Sequence, residues 1–421
     1  MTDPHVPAPR LGVGMVGYAF MGAAHSQAWR NAPRFFDLPM AVDMAVVGGR
    51  DRDRVAAAAR RLGWRDTETD WRALVTRDDV DLVDVCTPGD THAEIAVAAL
   101  AAGKHVLCEK PLANTVAEAR TMVEAAQAVP DRVAMVGFTY RRVPAIQLAR
   151  TLVADGRIGT VRHVRAQYLQ DWIADPQVPL SWRLDRQRAG SGALGDIGAH
   201  VVDLAQFITG ERLTGVAAML ETFVHERPVA DRFEGLAGSG STDGATGPVT
   251  VDDAAVFLAR LSGGGLATFE ATRFAYGRKN AIRLEVNGSR GSLAFDFEDM
   301  NVLHYFDASD PAATAGFRRI VVTEPEHAYV AAWWPAGHGL GYEHAFTHQV
   351  VDLVRGVAAG EHPAPTFADG LQVQLVLDAV QRSAADDARW TPIADEGARN
   401  DGLPVTVPAG ASGSTPDRQE A

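Results

Sequence analysis

The sequence predicts an α/β protein with an N-terminal Rossmann dinucleotide-binding domain. A C-terminal α/β domain with a large open, mainly antiparallel sheet is expected to follow. Strand-like and helix-like segments alternate from residue 11 to residue 138, as in right-handed βαβ units. After about residue 145, longer runs alternate apolar and polar residues between turn signals, which favours antiparallel strands. The chain has 421 residues, more than the roughly 250–300 at which a single core stops growing, so two domains are expected.

The first strand is the apolar run at 11–16, and a helix at 21–30 follows a glycine turn. Short apolar runs then alternate with Ala-rich helical segments. The strands are predicted at 44–47, 83–86, 105–108 and 134–138, and the helices at 52–62, 93–102 and 116–128. Beyond a further helix at 145–155, strands are predicted at 160–168, 215–221, 254–260, 266–272, 282–286, 292–297 and 318–322. Longer periodic segments predict helices at 192–207, 342–358 and 370–385.

These segments predict four parts of the chain. Residues 1–10 form an N-terminal extension and residues 11–140 the Rossmann NAD(P)-binding domain. Residues 141–400 form a substrate-binding and oligomerisation domain, and residues 401–421 a disordered tail.

Composition narrows the function class. A net charge of −13 argues against nucleic acid and anionic membranes as partners. The two cysteines, Cys86 and Cys108, lie in apolar runs and suit a reducing compartment. No apolar stretch resembles a signal peptide or a membrane span, so a cytoplasmic enzyme is expected.

A glycine-rich turn points to a dinucleotide. The literal G-x-G-x-x-G at Gly12, Gly14 and Gly17 has no strand before it. The frame from Gly17 to Gly22 follows the strand at 11–16, and its predicted cofactor-binding residues are Gly17, Ala19, Phe20, Met21 and Gly22. Such a turn places a pyrophosphate on helix N–H groups. A plain tight turn is the alternative.

The end of the second strand normally carries an acid for the ribose 2′-hydroxyl. Here Gly49 takes that position and Arg50 follows. A small residue with an arginine can accommodate a 2′-phosphate, so either NAD or NADP is expected, with a slight preference for NADP. Alternatively, Asp51 reaches the ribose, or Arg50 stacks on the adenine.

Two further motifs carry chemistry. Glu109, Lys110 and Pro111 follow the strand at 105–108, where ligands bind in open α/β sheets. A solvated ion pair is the alternative interpretation. Asp196 and His200 are four residues apart, so a helix would present both on one face. A surface pair or a metal pair would share that spacing, but no third ligand of matching spacing is present, and no metal is expected.

With these parts in place, the chain resembles the Gfo/Idh/MocA oxidoreductases, and among them levoglucosan- and inositol-type sugar dehydrogenases. The resemblance rests on the glycine turn, on Thr87-Pro88 with His92, and on Cys-Glu-Lys-Pro-Leu-Ala from Cys108. It also rests on Tyr140-Arg141, on Tyr168–Trp172, on Ser181-Trp182-Arg183 and on Gly195–His200. It implies a homodimer or homotetramer formed through the C-terminal sheet.

The resemblance also implies a catalytic set of Lys110, Asp196 and His200. The imidazole suits the removal of a hydroxyl proton, and the ammonium suits the stabilisation of a developing alkoxide. Further cofactor-binding residues are predicted as Thr87, Pro88, His92, Glu109, Lys110, Trp182 and Arg183. Substrate-binding residues are predicted as Lys110, Tyr140, Arg141, Trp172, Arg183, Asp196 and His200.

The leading hypothesis is an NAD(P)-dependent dehydrogenase that transfers a hydride between nicotinamide and a ring carbon of a sugar, anhydrosugar or inositol. One alternative is a glycoside hydrolase of the same fold, which uses its cofactor for transient oxidation and elimination without net redox change. Another is a non-catalytic dinucleotide sensor, against which the presence of all three catalytic candidates argues.

Overall fold

Two β-sheets organise the chain. The computed structural model describes residues 9–234, 237–240 and 244–395. One sheet has six parallel strands, and the other has nine strands that are mostly antiparallel. The predicted fold class is confirmed. The 401–421 tail and most of the 1–10 extension lie outside the described residues.

The first sheet has the strand order β3-β2-β1-β4-β5-β6. Its strands are β1 (Arg10–Val16), β2 (Ala41–Gly48), β3 (Asp66–Glu68), β4 (Leu82–Val85), β5 (His105–Cys108) and β6 (Ala134–Val136). The helices between them are α1 (Phe20–Phe35), α2 (Arg52–Leu62), α3 (Trp71–Val75), α4 (His92–Ala101) and α5 (Val116–Ala128). The strand order reverses between β1 and β4, which is where such sheets bind ligands. The short β3 and α3 have too few residues to show a period and were not predicted.

The second sheet is built from the rest of the chain. Its strands are β7 (Val161–Leu169), β8 (Leu213–Glu221), β13 (Ala254–Leu261), β14 (Leu266–Thr272), β15 (Ala281–Gly288), β16 (Gly291–Asp296), β17 (Val302–Asp307), β18 (Arg318–Val321) and β19 (Thr391–Pro392). Their order is β18-β17-β16-β15-β7-β14-β13-β8-β19, and only the β7–β14 pair is parallel. Two small hairpin sheets pair β9 (Glu226–Pro228) with β12 (Thr246–Pro248) and β10 (Ala230–Glu234) with β11 (Ala237–Gly240).

One face of the second sheet is covered by helices and the other is open. The helices of this part are α6 (Pro144–Ala154), α7 (Arg186–Ala189), α8 (Ala199–Thr209), α9 (Tyr342–Ala359) and α10 (Phe367–Ala385), of which α6, α8 and α10 pack on the sheet. The strands alternate accordingly, and β13 buries Phe257 while it exposes Val256 and Leu258. The open face therefore carries apolar side chains.

The last two helices return to the first sheet. Phe346 and Val350 of α9 share a buried cluster with Met15 of β1 and Trp29 of α1. Helix α10 packs on both α5 and β8. The predicted boundary near residue 140 stays a prediction, although part of the core beneath the first sheet comes from residues beyond it. In the described part of the chain, no helix combines the length and apolar character needed to cross a membrane.

Candidate active site

A cleft of about 460 Å³ lies at the carboxyl ends of β1, β4, β5 and β6. Residues of the second sheet and of the segment before α8 form its other wall. Most of the predicted site residues line it: Ala19, Phe20, Met21, Thr87, Pro88, His92, Glu109, Lys110, Tyr140, Trp172, Trp182, Arg183, Asp196 and His200. The cleft therefore brings together predicted residues that are up to 181 positions apart, from Ala19 to His200.

The glycine turn has the predicted frame. Gly17 has φ +102°, and a side chain there would meet the Cys86 carbonyl oxygen at 2.6 Å. A Cβ on Gly22 would lie 2.2 Å from the Gly17 carbonyl oxygen, so glycine permits the close approach of α1 to the turn. Ala19 precedes α1, and no side chain caps the first N–H groups of this helix. These groups form an anion-binding helix start that faces the cleft.

Gly49 and Arg50 lie at the end of β2, outside the lining of the cleft. A Cβ on Gly49 would lie 2.0 Å from the Tyr18 ring, so that ring covers the position of the usual acid. Arg50 is exposed. Asp51 accepts hydrogen bonds from the Asp53 and Arg54 N–H groups as the cap of α2, which disfavours the alternative in which it binds ribose.

Thr87, Pro88 and His92 form the rim after β4. The His92 ring nitrogens lie 2.9 Å from the Thr87 carbonyl oxygen and 3.0 Å from the Pro111 carbonyl oxygen. The polar atoms of this imidazole are therefore engaged by backbone. His92 borders the predicted cofactor site, but its contacts are those of a brace between the β4 and β5 loops.

Glu109 belongs to a buried charge cluster that sequence reasoning missed. Its Oε1 lies 2.9 Å from His25 Nε2, and the His25 Nδ1 lies 2.9 Å from Asp84 Oδ1. Trp29 Nε1 also donates to Asp84 at 2.7 Å. With a carboxylate on each ring nitrogen, His25 is an imidazolium. Burial is the largest single influence and lowers the pKa of His25, but the charge and hydrogen-bond interactions with Asp84 and Cys86 together outweigh it and hold the pKa well above its usual value.

Cys86 completes a group of three metal-type donors with His25 and Asp84. The N–H groups of His25 and Trp29 already fill the Asp84 carboxylate. The contacts therefore fit an ion pair better than a metal ion. Glu109 Oε2 accepts the backbone N–H of Lys110 at 3.2 Å, so the cluster also holds the turn that carries the lysine.

Lys110 and Asp196 meet across the cleft. The Lys110 ammonium donates to the Asp196 carbonyl oxygen at 2.6 Å and lies 3.5 Å from the carboxylate Oδ1. The buried Arg273 donates to Oδ2 at 3.2 Å. Burial alone raises the pKa of Asp196, but the charges of Lys110, Arg273 and Arg183 outweigh burial and hold the pKa well below its usual value. Asp196 is thus a fixed anion between cations.

His200 lies beside this pair in an aromatic surround. Its ring centroid lies 4.6 Å from that of Tyr140 and 5.9 Å from that of Tyr168. Within the described residues, no hydrogen bond engages its ring nitrogens. Burial and the Lys110 charge lower the pKa of His200 well below its usual value, so the ring is a neutral imidazole at neutral pH.

The segment that carries Asp196 departs from the predicted regular helix. Leu194–Gly198 is a π-helical turn that leads into α8. The buried Asp252 carboxylate accepts the N–H groups of Gly192 and Leu194 at 2.7 Å each. The wider π turn still brings Asp196 and His200 to the same cleft, as single π turns often do at functional sites.

Arg141, predicted as a substrate-binding residue, does not line the cleft. Its guanidinium lies away from the cleft and pairs with Asp203 of α8, at 2.5 Å from Nη2 to Oδ1, and with Asp369 of α10. Tyr140 and Arg141 lie in the 3-10 turn Thr139–Arg142, where successive side chains point about 120° apart, so Tyr140 enters the cleft and Arg141 enters the packing between helices. Among the aromatic candidates, Trp182 lies under the Arg183 guanidinium at 4.5 Å, and Trp172 under that of Arg273 at 5.7 Å.

Several residues of the cleft and its support were not predicted from the sequence. His25, Asp252 and Arg273 support the site, and Gln170 and Asn280 line the cleft. Gln170 lies in the Tyr168–Trp172 stretch that carried the resemblance, but only Trp172 of that stretch was predicted to bind substrate. The others are isolated polar residues, and only their burial reveals them.

The fold and the cleft define a class of enzyme. The glycine turn with its free helix start fits a dinucleotide pyrophosphate, and the cleft beyond it offers room and polar groups at the carboxyl ends of the strands. The protein is an NAD(P)-dependent oxidoreductase.

Comparison with known proteins identifies the family. Residues 11–138 match the oxidoreductase family with an NAD-binding Rossmann fold, and residues 146–294 match the GFO/IDH/MocA C-terminal domain. The levoglucosan dehydrogenase of Pseudarthrobacter phenanthrenivorans is 42% identical over 91% of this chain and 98% of its own length. The chain belongs to the Gfo/Idh/MocA oxidoreductase family, as predicted.

Solved structures agree with this assignment. An oxidoreductase domain protein from Kribbella flavida is 68% identical with a TM-score of 0.87, over 92% of this chain and 100% of that one. A levoglucosan dehydrogenase in complex with NADH and levoglucosan is 40% identical with a TM-score of 0.86, again over 92% and 100%.

Proposed function

We propose that this enzyme oxidises a secondary ring hydroxyl of a sugar, anhydrosugar or inositol, and that levoglucosan is the first substrate to test. One observation carries the proposal. Lys110, Asp196 and His200 meet in the cleft that also contains the glycine turn. The relatives that act on levoglucosan support the substrate class.

The three residues have complementary roles in the proposed reaction. The nicotinamide, when bound, supplies the hydride acceptor. The neutral imidazole of His200 accepts the hydroxyl proton. The Lys110 ammonium donates a hydrogen bond to the same oxygen and stabilises the charge that develops on it. Asp196, ionised between Lys110 and Arg273, orients the ammonium and accepts a hydrogen bond from a neighbouring hydroxyl.

The remaining predicted residues are proposed to line the two ends of the cleft. Thr87, Pro88 and Glu109 border the nicotinamide end, and His92 braces it. Trp172, Trp182 and Arg183 offer aromatic faces and a guanidinium fork, which suit a polyhydroxylated ring.

The test is a substrate screen followed by one substitution. Levoglucosan, myo-inositol and common monosaccharides are offered with NAD and with NADP, and reduced cofactor is followed by absorbance. On the best substrate, Lys110→Ala is expected to lower kcat about 10²–10⁴-fold with little change in the Kd of NADH. Lys104→Ala is the matched control, because Lys104 bonds the Arg77 carbonyl oxygen outside the cleft. Full turnover by Lys110→Ala would refute the assigned site.

The redox-neutral glycoside hydrolase is not favoured, because the similar proteins named for levoglucosan are dehydrogenases. The two reactions differ in their cofactor requirement. A dehydrogenase accumulates NADH in proportion to product, whereas a glycosidase of this kind cleaves aryl glycosides with catalytic cofactor and accumulates none.

The preference for NADP is retained as a hypothesis. It rests on Arg50, which is exposed beside the site where Tyr18 covers Gly49. Arg50→Ala is expected to raise the Kd of NADPH and to leave the Kd of NADH almost unchanged, as measured by the fluorescence of the reduced cofactors. An equal loss for both cofactors would contradict a phosphate role.

We further propose a homo-oligomer that is formed through the open face of the second sheet. Met219, Val256, Leu258 and Leu266, the open-face patch, are exposed by 72%, 55%, 57% and 52%. An apolar patch of this kind marks a contact surface. A cytoplasmic location is also proposed, and the two free, buried cysteines suit it.

A further inference from the structure

The second-sheet wall of the cleft carries a chain of hydrogen-bonded side chains whose polar groups have no assigned role in the proposed proton and hydride transfer. Its members are Tyr140, Tyr168, Gln170, Trp172 and Asn280, and all of them line the cleft. Two of them, Tyr140 and Tyr168, also pack against His200, so the chain begins next to the reacting atoms.

The chemistry of these groups determines the direction of each hydrogen bond. An indole N–H can only donate, and Trp172 Nε1 lies 3.0 Å from a terminal atom of Gln170, which must therefore be Oε1. The other terminal atom is Nε2, and it donates to Asn280 Oδ1 at 2.9 Å. The orientation of both amides thus follows from the indole N–H of Trp172.

The donor and the acceptor of each tyrosine hydrogen bond are fixed in the same way. Tyr168 donates to Asn280 Oδ1 at 2.7 Å, which uses its only hydrogen. The 2.9 Å contact between the two hydroxyls is therefore donated by Tyr140. Asn280 Oδ1 accepts two hydrogen bonds and has no further lone pair to offer.

The amide nitrogen of Asn280 is the end of this chain. Burial raises the pKa of Tyr140, and contacts with Tyr168 and with Asn280 partly oppose that rise. Apart from an interaction between the Asn280 side chain and the Tyr140 hydroxyl, no hydrogen bond donated by Asn280 Nδ2 is found among the described residues. Because an NH2 group has two hydrogens, at least one N–H of Asn280 is left to face a ligand in the cleft.

We propose that Asn280 is a specificity-determining residue. Its Nδ2 donates a hydrogen bond to the oxygen of a substrate hydroxyl at a carbon other than the one oxidised. Trp172 is a positioning residue that holds the amide in this orientation through Gln170. The inference rests on the proposed function, since it takes the ligand of the cleft to be a polyol.

The experiment replaces the donor at position 280 by an acceptor and replaces the substrate hydroxyl by fluorine, which only accepts. Wild type, Asn280→Asp and Asn280→Ala are compared on the best substrate of the screen and on its deoxyfluoro analogues, one for each non-reacting hydroxyl. Fluorine accepts weakly and cannot donate, whereas a hydroxyl does both. A carboxylate at position 280 therefore tolerates the hydroxyl and repels the fluorine.

At one carbon, the kcat/KM ratio of hydroxyl to fluorine substrate is expected to rise at least about tenfold in Asn280→Asp relative to wild type. At the other carbons, and in Asn280→Ala, this ratio is expected to stay within about threefold. The effect of fluorine on hydride transfer is common to all three proteins and cancels. A ratio that is unchanged at every carbon overturns the inference, whereas failure of the wild type to oxidise any parent polyol overturns the proposed function instead.

Trp172→Phe tests the positioning role. Without the indole N–H, the side-chain amides of Gln170 and Asn280 can each rotate by 180°, which exchanges the oxygen and the nitrogen. A substrate hydroxyl can form a hydrogen bond with either terminal atom of Asn280, whereas fluorine can only accept one from Nδ2. The same ratio is therefore expected to rise about two- to fivefold at that carbon, mainly through KM. Trp390→Phe, which removes a half-exposed indole outside the cleft, is the control and is expected to leave the ratio unchanged. Identical behaviour of the two tryptophan variants would refute the role of Trp172.

Discussion

At the residue scale, the charge state of His200 depends on its neighbours. Burial and the Lys110 ammonium both lower its pKa, and Asp196 opposes them. The folded-state pKa therefore lies below the usual value of about 6.5. The imidazole is neutral, and able to accept a proton, throughout the neutral range.

Removal of the lysine charge should raise the pKa of His200. We expect Lys110→Met to move the titration of the His200 ring to higher pH, and Asp196→Asn to move it to lower pH. NMR of the imidazole measures both shifts without any turnover. An unchanged titration in Lys110→Met would mean that the ammonium does not act on this ring.

Residue-scale prediction from the sequence succeeded where a motif fixed the local geometry. Lys110 follows β5 directly and reaches the cleft. It did not anticipate that Arg141 leaves the cleft that its neighbour Tyr140 lines, because successive side chains of the 3-10 turn Thr139–Arg142 point about 120° apart. Arg141 instead forms a buried ion pair with Asp203, 62 residues away.

At the element scale, the start of α8 depends on glycine at position 192. A Cβ there would lie 1.7 Å from the Asp252 carbonyl oxygen, and backbone cannot yield as a flexible side chain does. Gly192→Ala is expected to lower the free energy of unfolding by about 1–3 kcal/mol, as measured in urea, and to impair turnover through Asp196. Gly316→Ala is the control, since nothing lies within 4 Å of a Cβ at that exposed position.

Two buried histidines join elements and should respond to pH in opposite directions. His25 joins α1 to β4 and β5 as an imidazolium with a raised pKa. His348 joins α9 to its surroundings as a neutral ring, because it accepts from Trp333 and donates to the Arg142 carbonyl oxygen, and burial lowers its pKa to about 3.

Urea unfolding at a series of pH values separates the two. The stability from His25 is complete below about pH 6.5 and is lost as pH rises through its raised folded-state pKa. His25→Gln should therefore cost about 3–5 kcal/mol near pH 6, with a smaller cost at high pH. The stability from His348 is complete above about pH 6.5 and declines as pH falls toward 3, so the cost of His348→Leu should shrink in acid. Parallel pH dependence in both variants would contradict the assigned charge states.

At the scale of the whole molecule, the open-face patch is expected to hold copies of the chain together. Leu258→Glu places a charge at its centre, 57% exposed in the single chain, and should reduce the molar mass measured by light scattering while each chain stays folded. Val321→Glu, at the exposed edge strand β18, is the control. An unchanged molar mass in Leu258→Glu would contradict an oligomer contact through the open-face patch.

The sequence by itself determined the class of the first sheet, the frame of its glycine turn and the positions of Lys110, Asp196 and His200. These features are local, since periodicity, turn residues and short motifs are properties of contiguous residues. Only the tertiary structure decided that Lys110 meets Asp196, 86 residues away, and that α9 returns to pack under the first sheet. It also decided that His25, Asp252 and Arg273 support the site. The physical reason is that burial and pairing join residues that are distant in the sequence. The charge state and the role of an isolated histidine or aspartate therefore cannot be predicted before the fold shows its partners.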